Sequence, residues 1–416
     1  MRVLVIATPV PSHFLPLVPL LWALRSAGHE VTVLGQPDVL GAVRAGGLTG
    51  IGVGEPFDVD TMLLRNLPRE QRPLQARPRP APELLGGYGR LWWAHASALL
   101  DRYTALAEEY APGLILADPL EYCSLIIGAR LGVPVAHHRW TVDAISGPAR
   151  RFVRADVPDP AGPPDPPGRP GTDGRAAAAG LPDPTVLLDP CPPSLRLPDG
   201  EAGVPIRYVP YSGGAVTPAW VRTDPGPGAG RRRVAVSLGN TPALHGEGFV
   251  RGLLHALAAR SDTEILVTLP EPYRSAVGPL PGNVTAVDPL PLHLFLRTCD
   301  AMVHHGGAGT AMTATAFGLP QLVLPQLADH FPLADRLTAT GAGLSFDTAA
   351  EQDDPRIVGH ALDQLLSDPR HARSARRLAA EMAAMPSPAA VAGGLERLAG
   401  AHTEPREASL PCTSRN

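Results

Sequence analysis

The sequence predicts an α/β protein built from two similar halves, each a parallel sheet wrapped in helices, with a cleft between them. Three observations lead there. Continuous apolar runs of strand length alternate with helical segments along most of the chain, the pattern of parallel sheets covered on both faces. The alternation breaks at 210–230, where Pro210, Gly213-Gly214, Pro218 and Pro225-Gly226-Pro227-Gly228 read as a linker. The length, 416 residues, suits about two domains. In such sheets ligands sit beyond the carboxyl ends of the strands, so the two halves should share a site.

The elements follow in order. Residues 2–7 read as a buried strand, 15–27 as a helix stopped by Gly28, 30–34 as a strand and 39–45 as a short helix. Residues 84–110 are largely helical, 113–117 a strand, 120–131 a helix ended by Gly132, and 133–136 a strand. Two stretches, 55–83 and 155–185, are rich in Pro with Arg or Gly and read as long loops, which at that length are functional or mobile. The second series has strands at 233–237, 264–268, 284–287, 301–303 and 321–324. Its helices are at 248–260, 309–317, 329–340 and 355–384, with one more at 388–400. The division is a first domain at 1–209, a linker at 210–230 and a second domain at 231–385. A helix at 386–402 should cross back to the first domain, before a flexible tail at 403–416.

Composition excludes several classes. The 36 basic residues are all arginine and are outnumbered by 40 acidic ones, so a net charge of −4 offers no footprint for nucleic acid. Cys123, Cys191, Cys299 and Cys412 are scattered, without zinc-site spacing or a disulfide framework. No run of about 18 apolar residues predicts a membrane span. Met1-Arg2-Val3-Leu4-Val5-Ile6 enters a strand directly, without the features of a signal peptide. A cytoplasmic protein without a metal is expected.

The most informative run is His304-His305-Gly306-Gly307-Ala308-Gly309-Thr310, between the apolar Ala301-Met302-Val303 and a small-residue helix. A helix N-terminus carries free N–H groups and about half a positive charge, a seat for phosphate. Glycines let the backbone approach the anion and His305 can donate to it. The other reading is a plain tight turn. Adjacent residues on a strand face opposite ways, so at most one of the two histidines meets a ligand and His304 is packed.

His13 follows the first strand and Asp118 the strand at 113–117. Histidine titrates near neutral pH and can take a proton from a hydroxyl, and a carboxylate would orient it. Alternatively, each caps its following helix. Ser237-Leu238-Gly239-Asn240-Thr241 could contact phosphate or sugar, although an ordinary polar turn is the simpler reading. Asp329 and His330 could bind sugar hydroxyls, or Asp329 could serve as an N-cap. No Walker A sequence is present, and no G-x-G-x-x-G follows the first strand, which argues against ATP and NAD.

These residues resemble a known family. His13-Phe14-Leu15-Pro16-Leu17-Val18-Pro19-Leu20, Ala27-Gly28-His29-Glu30-Val31, the run 299–310 and Gly318-Leu319-Pro320-Gln321-Leu322-Val323-Leu324-Pro325-Gln326 look like the bacterial antibiotic glycosyltransferases. Those enzymes have the GT-B fold, two Rossmann-like domains facing a central cleft. His137-His138-Arg139-Trp140-Thr141-Val142-Asp143, residues 188–195 and Tyr208-Val209-Pro210-Tyr211 resemble the aromatic polyketide branch, such as the urdamycin (angucycline) C-glycosyltransferase.

The resemblance implies inverting transfer of a deoxysugar from a dTDP-sugar to an aromatic polyketide or related acceptor, O- or C-linked. By this likeness His13 is the base, Asp118 its support and Asp143 a second base. Phe14, Trp140 and Thr141 line the acceptor pocket. His305, Gly306, Gly307, Gly309, Thr310, Ser237 and Asn240 hold the diphosphate, while Pro289 and Leu290 meet the nucleotide base. Asp329 and His330 contact the sugar, and His330 stands where the family has Gln. Tryptophan commonly stacks on the base in the family, where this chain has Asp288-Pro289-Leu290. A homodimer stays open, as do two other functions: a sugar-nucleotide epimerase of the same fold, and a non-catalytic paralogue.

Overall fold

The computed structural model describes residues 1–59, 61, 67–68, 71–154, 157, 180–224, 226, 230–239 and 242–403. The first sheet has seven strands, all parallel, in the order β3-β2-β1-β4-β5-β6-β7. They are β1 (Arg2–Ile6), β2 (Glu30–Gly35), β3 (Thr49–Gly52), β4 (Leu114–Ala117), β5 (Val135–His138), β6 (Val186–Asp189) and β7 (Val204–Pro205). The second sheet has six parallel strands in the order β10-β9-β8-β11-β12-β13. Its strands are β8 (Arg232–Ser237), β9 (Thr263–Thr268), β10 (Val284–Val287), β11 (Ala301–His304), β12 (Gln321–Val323) and β13 (Gly343–Ser345).

Both central strands are apolar runs because helices cover both their faces: Val3, Leu4, Val5 and Ile6 have no exposed surface. In each sheet the strand order reverses beside the first strand, between β1 and β4 and between β8 and β11. Those two reversals are where such sheets open a crevice for ligand. The segments after β1, β4 and β11 carry His13, Asp118 and His305, and Ser237 ends β8.

The last helix, Pro388–Thr403, places Val391, Ala392 and Leu395 in the core of the first sheet with Leu20 and Leu21, so the chain crosses back. His29 Nε2 lies 2.7 Å from Glu396 there. Among the described residues no helix is long and apolar enough to cross a membrane.

Several elements differ from expectation for local reasons. The helix expected at 15–27 is divided into Pro11–Phe14, a 3-10 turn Leu15–Leu17 and Val18–Ser26, each with proline in its first turn. The helix expected at 355–384 breaks into Pro355–Ser367 and Pro369–Ala383. Asp368, extended because it precedes proline, caps the second through the Arg370 N–H. Strands β3, β6, β7 and β13, two to four residues long, add to the expected set.

Candidate active site

His13 lies on the short helix Pro11–Phe14 that follows β1. Its Nδ1 is 3.7 Å from Asp118 Oδ1 and 3.4 Å from Thr8 Oγ1. The Thr8 hydroxyl donates to Asp118 Oδ2 at 2.8 Å, and the Leu120 N–H donates to Oδ1 at 3.1 Å. Burial opposes the charge on Asp118, but His13, Thr8 and Leu120 together outweigh it and hold the carboxyl below its usual range. Trp140 stacks on the imidazole, centroids 4.1 Å apart and planes 5° apart, and Trp92 stands at 6.0 Å. Phe57 stacks towards Trp92 and meets His95 edge-on. An aromatic nest thus surrounds His13, whose side chain keeps 15% of its surface exposed.

Three expected site residues have other positions. Phe14 is 2% exposed and belongs to the core of the first sheet, because the helix starts at Pro11 and turns it inward. It is therefore not a wall of the acceptor pocket. Asp143 is engaged at both oxygens: Oδ1 accepts from the Ile145 and Ser146 N–H groups at 3.1 and 2.8 Å, and Oδ2 from the Ser146 hydroxyl. Arg139 Nε lies 3.6 Å from Asp143, and its Nη1 lies 3.3 Å from Asp189. Asp143 thus anchors the loop that holds Trp140. His330 is buried, and its Nδ1 accepts from the Gln326 and Leu327 N–H groups, both at 3.3 Å. It braces the loop beneath the glycine turn through Nδ1, while Nε2 lies 3.9 Å from Asp329 Oδ1.

The remaining acceptor-side residue, Thr141, is buried and its hydroxyl has no hydrogen-bond partner among the described residues.

On the facing sheet the glycine turn joins β11 to the helix Ala308–Ala316. Its N-cap is Gly307, with no side chain to close the first turn, so the N–H groups stay available to an anion. The His305 ring lies between Gly239 and Gly307: a Cβ on either would stand within 2.8 Å of it. Nδ1 of His305 is 3.5 Å from the Ser237 carbonyl. Its ring meets those of His330 and His245 edge-on, at 5.1 and 5.7 Å. Burial, then the neighbours His330, His245 and His304, hold His305 well below the usual histidine range. His304 is packed, with Nε2 2.9 Å from Gln321 Oε1 and Nδ1 accepting from the Gly306 N–H. Thr310 is half-buried in the helix's first turn, and Gly309 is exposed. Asn240 falls outside the described residues.

Asp329 precedes helix His330–Ala339 but makes no cap hydrogen bond, and its side chain is 39% exposed. Pro289 and Leu290 follow the edge strand β10, and Leu290 packs against the cluster of Phe295 and Leu296. The two halves meet around these loops. Ala308 and Ala328 pack on the core cluster that holds Trp92 and Trp140. The Tyr208 hydroxyl lies 3.3 Å from the Gly309 carbonyl. No sequence signal marked His95, Thr8 or His245, whose partners are brought to them by the sheet order.

Below Asp118, Glu121 caps helix Tyr122–Leu131 through the Cys123 N–H at 3.1 Å. Its Oε2 is buried without a partner, 3.9 Å from His95 Nε2. Burial, then the charge of Asp118, pushes its carboxyl up to about 8. A carboxyl raised in the folded state adds nothing against protonation and costs stability as pH climbs from its unfolded value towards 8. Melting curves of Glu121→Gln should therefore lie close to wild type near pH 5 and above it at pH 8–9. Equal melting temperatures at pH 9 would show that Glu121 ionises without penalty.

Two parallel sheets facing across a cleft, with a histidine–carboxylate pair on one and a glycine-capped anion seat on the other, define a GT-B glycosyltransferase. The chain matches the N-terminal domain of the erythromycin biosynthesis protein CIII-like family over residues 22–239 and its C-terminal domain over 252–398. It belongs to this family of glycosyltransferases. It is 36% identical to the L-demethylnoviosyl transferase of Streptomyces niveus, over 95% of this chain and 97% of that one. It is 34% identical to the TDP-daunosamine transferase DnrS of Streptomyces peucetius, over 97% and 98%. Among solved structures, spinosyn rhamnosyltransferase SpnG complexed with thymidine diphosphate superposes with a TM-score of 0.80. It is 33% identical, over 95% of this chain and 100% of that one.

Proposed function

We propose that this enzyme transfers a deoxysugar from a dTDP-sugar to an aromatic polyketide, with inversion at the anomeric carbon. The observation that carries the acceptor class is the pair of indoles flanking His13, Trp140 stacked on its ring and Trp92 at 6.0 Å, an aromatic surround suited to a fused-ring phenol. The dTDP donor is supported by the relative that uses TDP-daunosamine and the related structure holding thymidine diphosphate.

His13, oriented by Asp118 and Thr8, takes the proton from the acceptor hydroxyl as its oxygen attacks the anomeric carbon. For a C-linked product the ring carbon of the phenolate attacks instead. The bond to the diphosphate breaks on the opposite face. The helix end at Gly307, with His305, Thr310 and Ser237, meets the charge that leaves, as a preorganised dipole should. Asp329 takes the sugar hydroxyls, while Pro289 and Leu290 flank the nucleotide base. The transfer needs no metal and takes place in the cytoplasm; sizing the purified chain separates monomer from homodimer.

The test is incubation with a panel of dTDP-deoxysugars and two acceptor sets, hydroxylated polycyclic aromatics and macrolactones. Products are read by mass, and linkage and anomer by NMR. Glycosylated aromatics with inverted anomers support the proposal. Transfer to macrolactones alone would overturn the acceptor class. Isomerised donor in the absence of acceptor would point to an epimerase instead.

A further inference from the structure

The Pro- and Arg-rich stretch after β3 supplies a contact that the reaction scheme does not use. Arg72, immediately before the short helix Pro73–Ala76 of the first half, extends into the second half with a side chain only 2% exposed. Its Nη1 donates to Gln352 Oε1 at 2.5 Å and to Gln326 Oε1 at 3.3 Å. Its Nη2 donates to the Ala349 carbonyl at 3.1 Å and to Asp353 Oδ1 at 2.7 Å. The guanidinium lies over the Phe249 ring, 4.1 Å from its centroid. A planar fork suits this arrangement better than an ammonium would.

Gln326 is the link to the donor side. Its Nε2 donates to Gln352 at 2.7 Å and to the Leu324 carbonyl at 3.0 Å. Its N–H, with that of Leu327, donates to His330 Nδ1. Arg72 thus braces the start of the loop 326–330, which presents Asp329. Seven residues on, Arg79 clasps the far side of that loop. It donates to both oxygens of Asp335, on helix His330–Ala339, at 2.9 and 2.5 Å. It also pairs with Asp347 and lies over Phe331, 5.5 Å from the ring centroid.

We propose that Arg72 is a positioning residue for the donor sugar: reaching from the acceptor-side half, it sets the loop that carries Asp329, so the sugar is gripped only when the two halves are docked. This rests on Asp329 being the sugar contact. The nucleotide and diphosphate elements, at Pro289–Leu290 and His305–Thr310, share none of the Arg72 hydrogen bonds. Arg79 supports the same loop from an exposed pair, 40% and 45% accessible, and should matter less.

The experiment compares wild type with Arg72→Met, which keeps a long side chain over Phe249, with Arg72→Lys and with Arg79→Gln. It measures the Kd for dTDP, the KM for the dTDP-sugar, kcat, and the fraction of donor lost to water. For Arg72→Met the KM for the dTDP-sugar should rise about tenfold or more, the worth of one to two charged hydrogen bonds, while the dTDP Kd moves less than about twofold. The hydrolysed fraction should grow, Arg72→Lys should fall between, and Arg79→Gln should show the smaller change. Should Arg72→Met not fold, Arg72→Lys carries the same comparison. Equal weakening of dTDP and dTDP-sugar, or no change in either, overturns the proposal. If wild type itself binds the dTDP-sugar no better than dTDP, the sugar reading of Asp329 fails instead.

Discussion

Replacing His13 with alanine should lower kcat by about 10²–10⁴-fold, the usual contribution of a positioned general base, while the KM for the dTDP-sugar stays within about threefold. The split follows from the architecture. His13 belongs to the first sheet's switch point, and the expected donor contacts belong to the second. Nδ1 is directed to Thr8 and Asp118 at 3.4 and 3.7 Å, which leaves Nε2 for the acceptor. Trp140, parallel to the ring at 4.1 Å, fixes its plane. Asp118→Asn keeps the shape and removes the charge that stabilises the protonated imidazole, so it should cost about 10²-fold in kcat by the same logic. Steady-state rates with an O-linked acceptor, taken from pH 5 to 9, provide the check. A His13→Ala enzyme that keeps more than half its turnover would remove His13 from the chemistry.

The sequence displayed what is local and concealed what is not. The glycine turn was legible because strand, turn and helix are contiguous, and His13 and Asp118 because each directly follows a strand. Their pairing needed only the rule that ligands gather where strand order reverses. Phe14 was misplaced because Pro11, Pro16 and Pro19 each start a separate short element, which rotates the residue after His13 into the sheet. Asp143 could have been read as an anchor from the serine three residues on, whose N–H and hydroxyl it accepts. Nothing near Arg72 could have shown its function: its partners Gln326 and Asp353 lie 254 and 281 residues away. The same holds for His245, which meets His305 only after β8 and β11 pair.

Alanine at Gly306, Gly307 and Gly309 should produce three distinct results, because the three positions fail for different reasons. Gly306 has φ +97°, and a Cβ there would stand 2.6 Å from His330 Cβ and 3.4 Å from its Cα. Those atoms belong to the main chain or adjoin it and cannot swing aside. Gly306→Ala should therefore lower stability by about 1–3 kcal/mol, the range for overpacking, and weaken dTDP binding with it. At Gly307 the conformation is ordinary, φ −60°, but a Cβ would meet His305 Nε2 at 2.4 Å. The ring can turn away, so Gly307→Ala should cost less stability while still moving the His305 ring from its place between Gly239 and Gly307. At Gly309 no protein atom lies within 4 Å of the added Cβ. That open space adjoins the first-turn N–H groups, where the diphosphate is expected. Gly309→Ala should melt like wild type yet bind dTDP more weakly, by about tenfold for the loss of roughly one close phosphate contact. A turn that serves the fold alone predicts the same melting for this variant but an unchanged dTDP affinity. Calorimetric titration of dTDP beside a melting curve separates the two, and Gly309 decides between them because only a ligand could object to its methyl group.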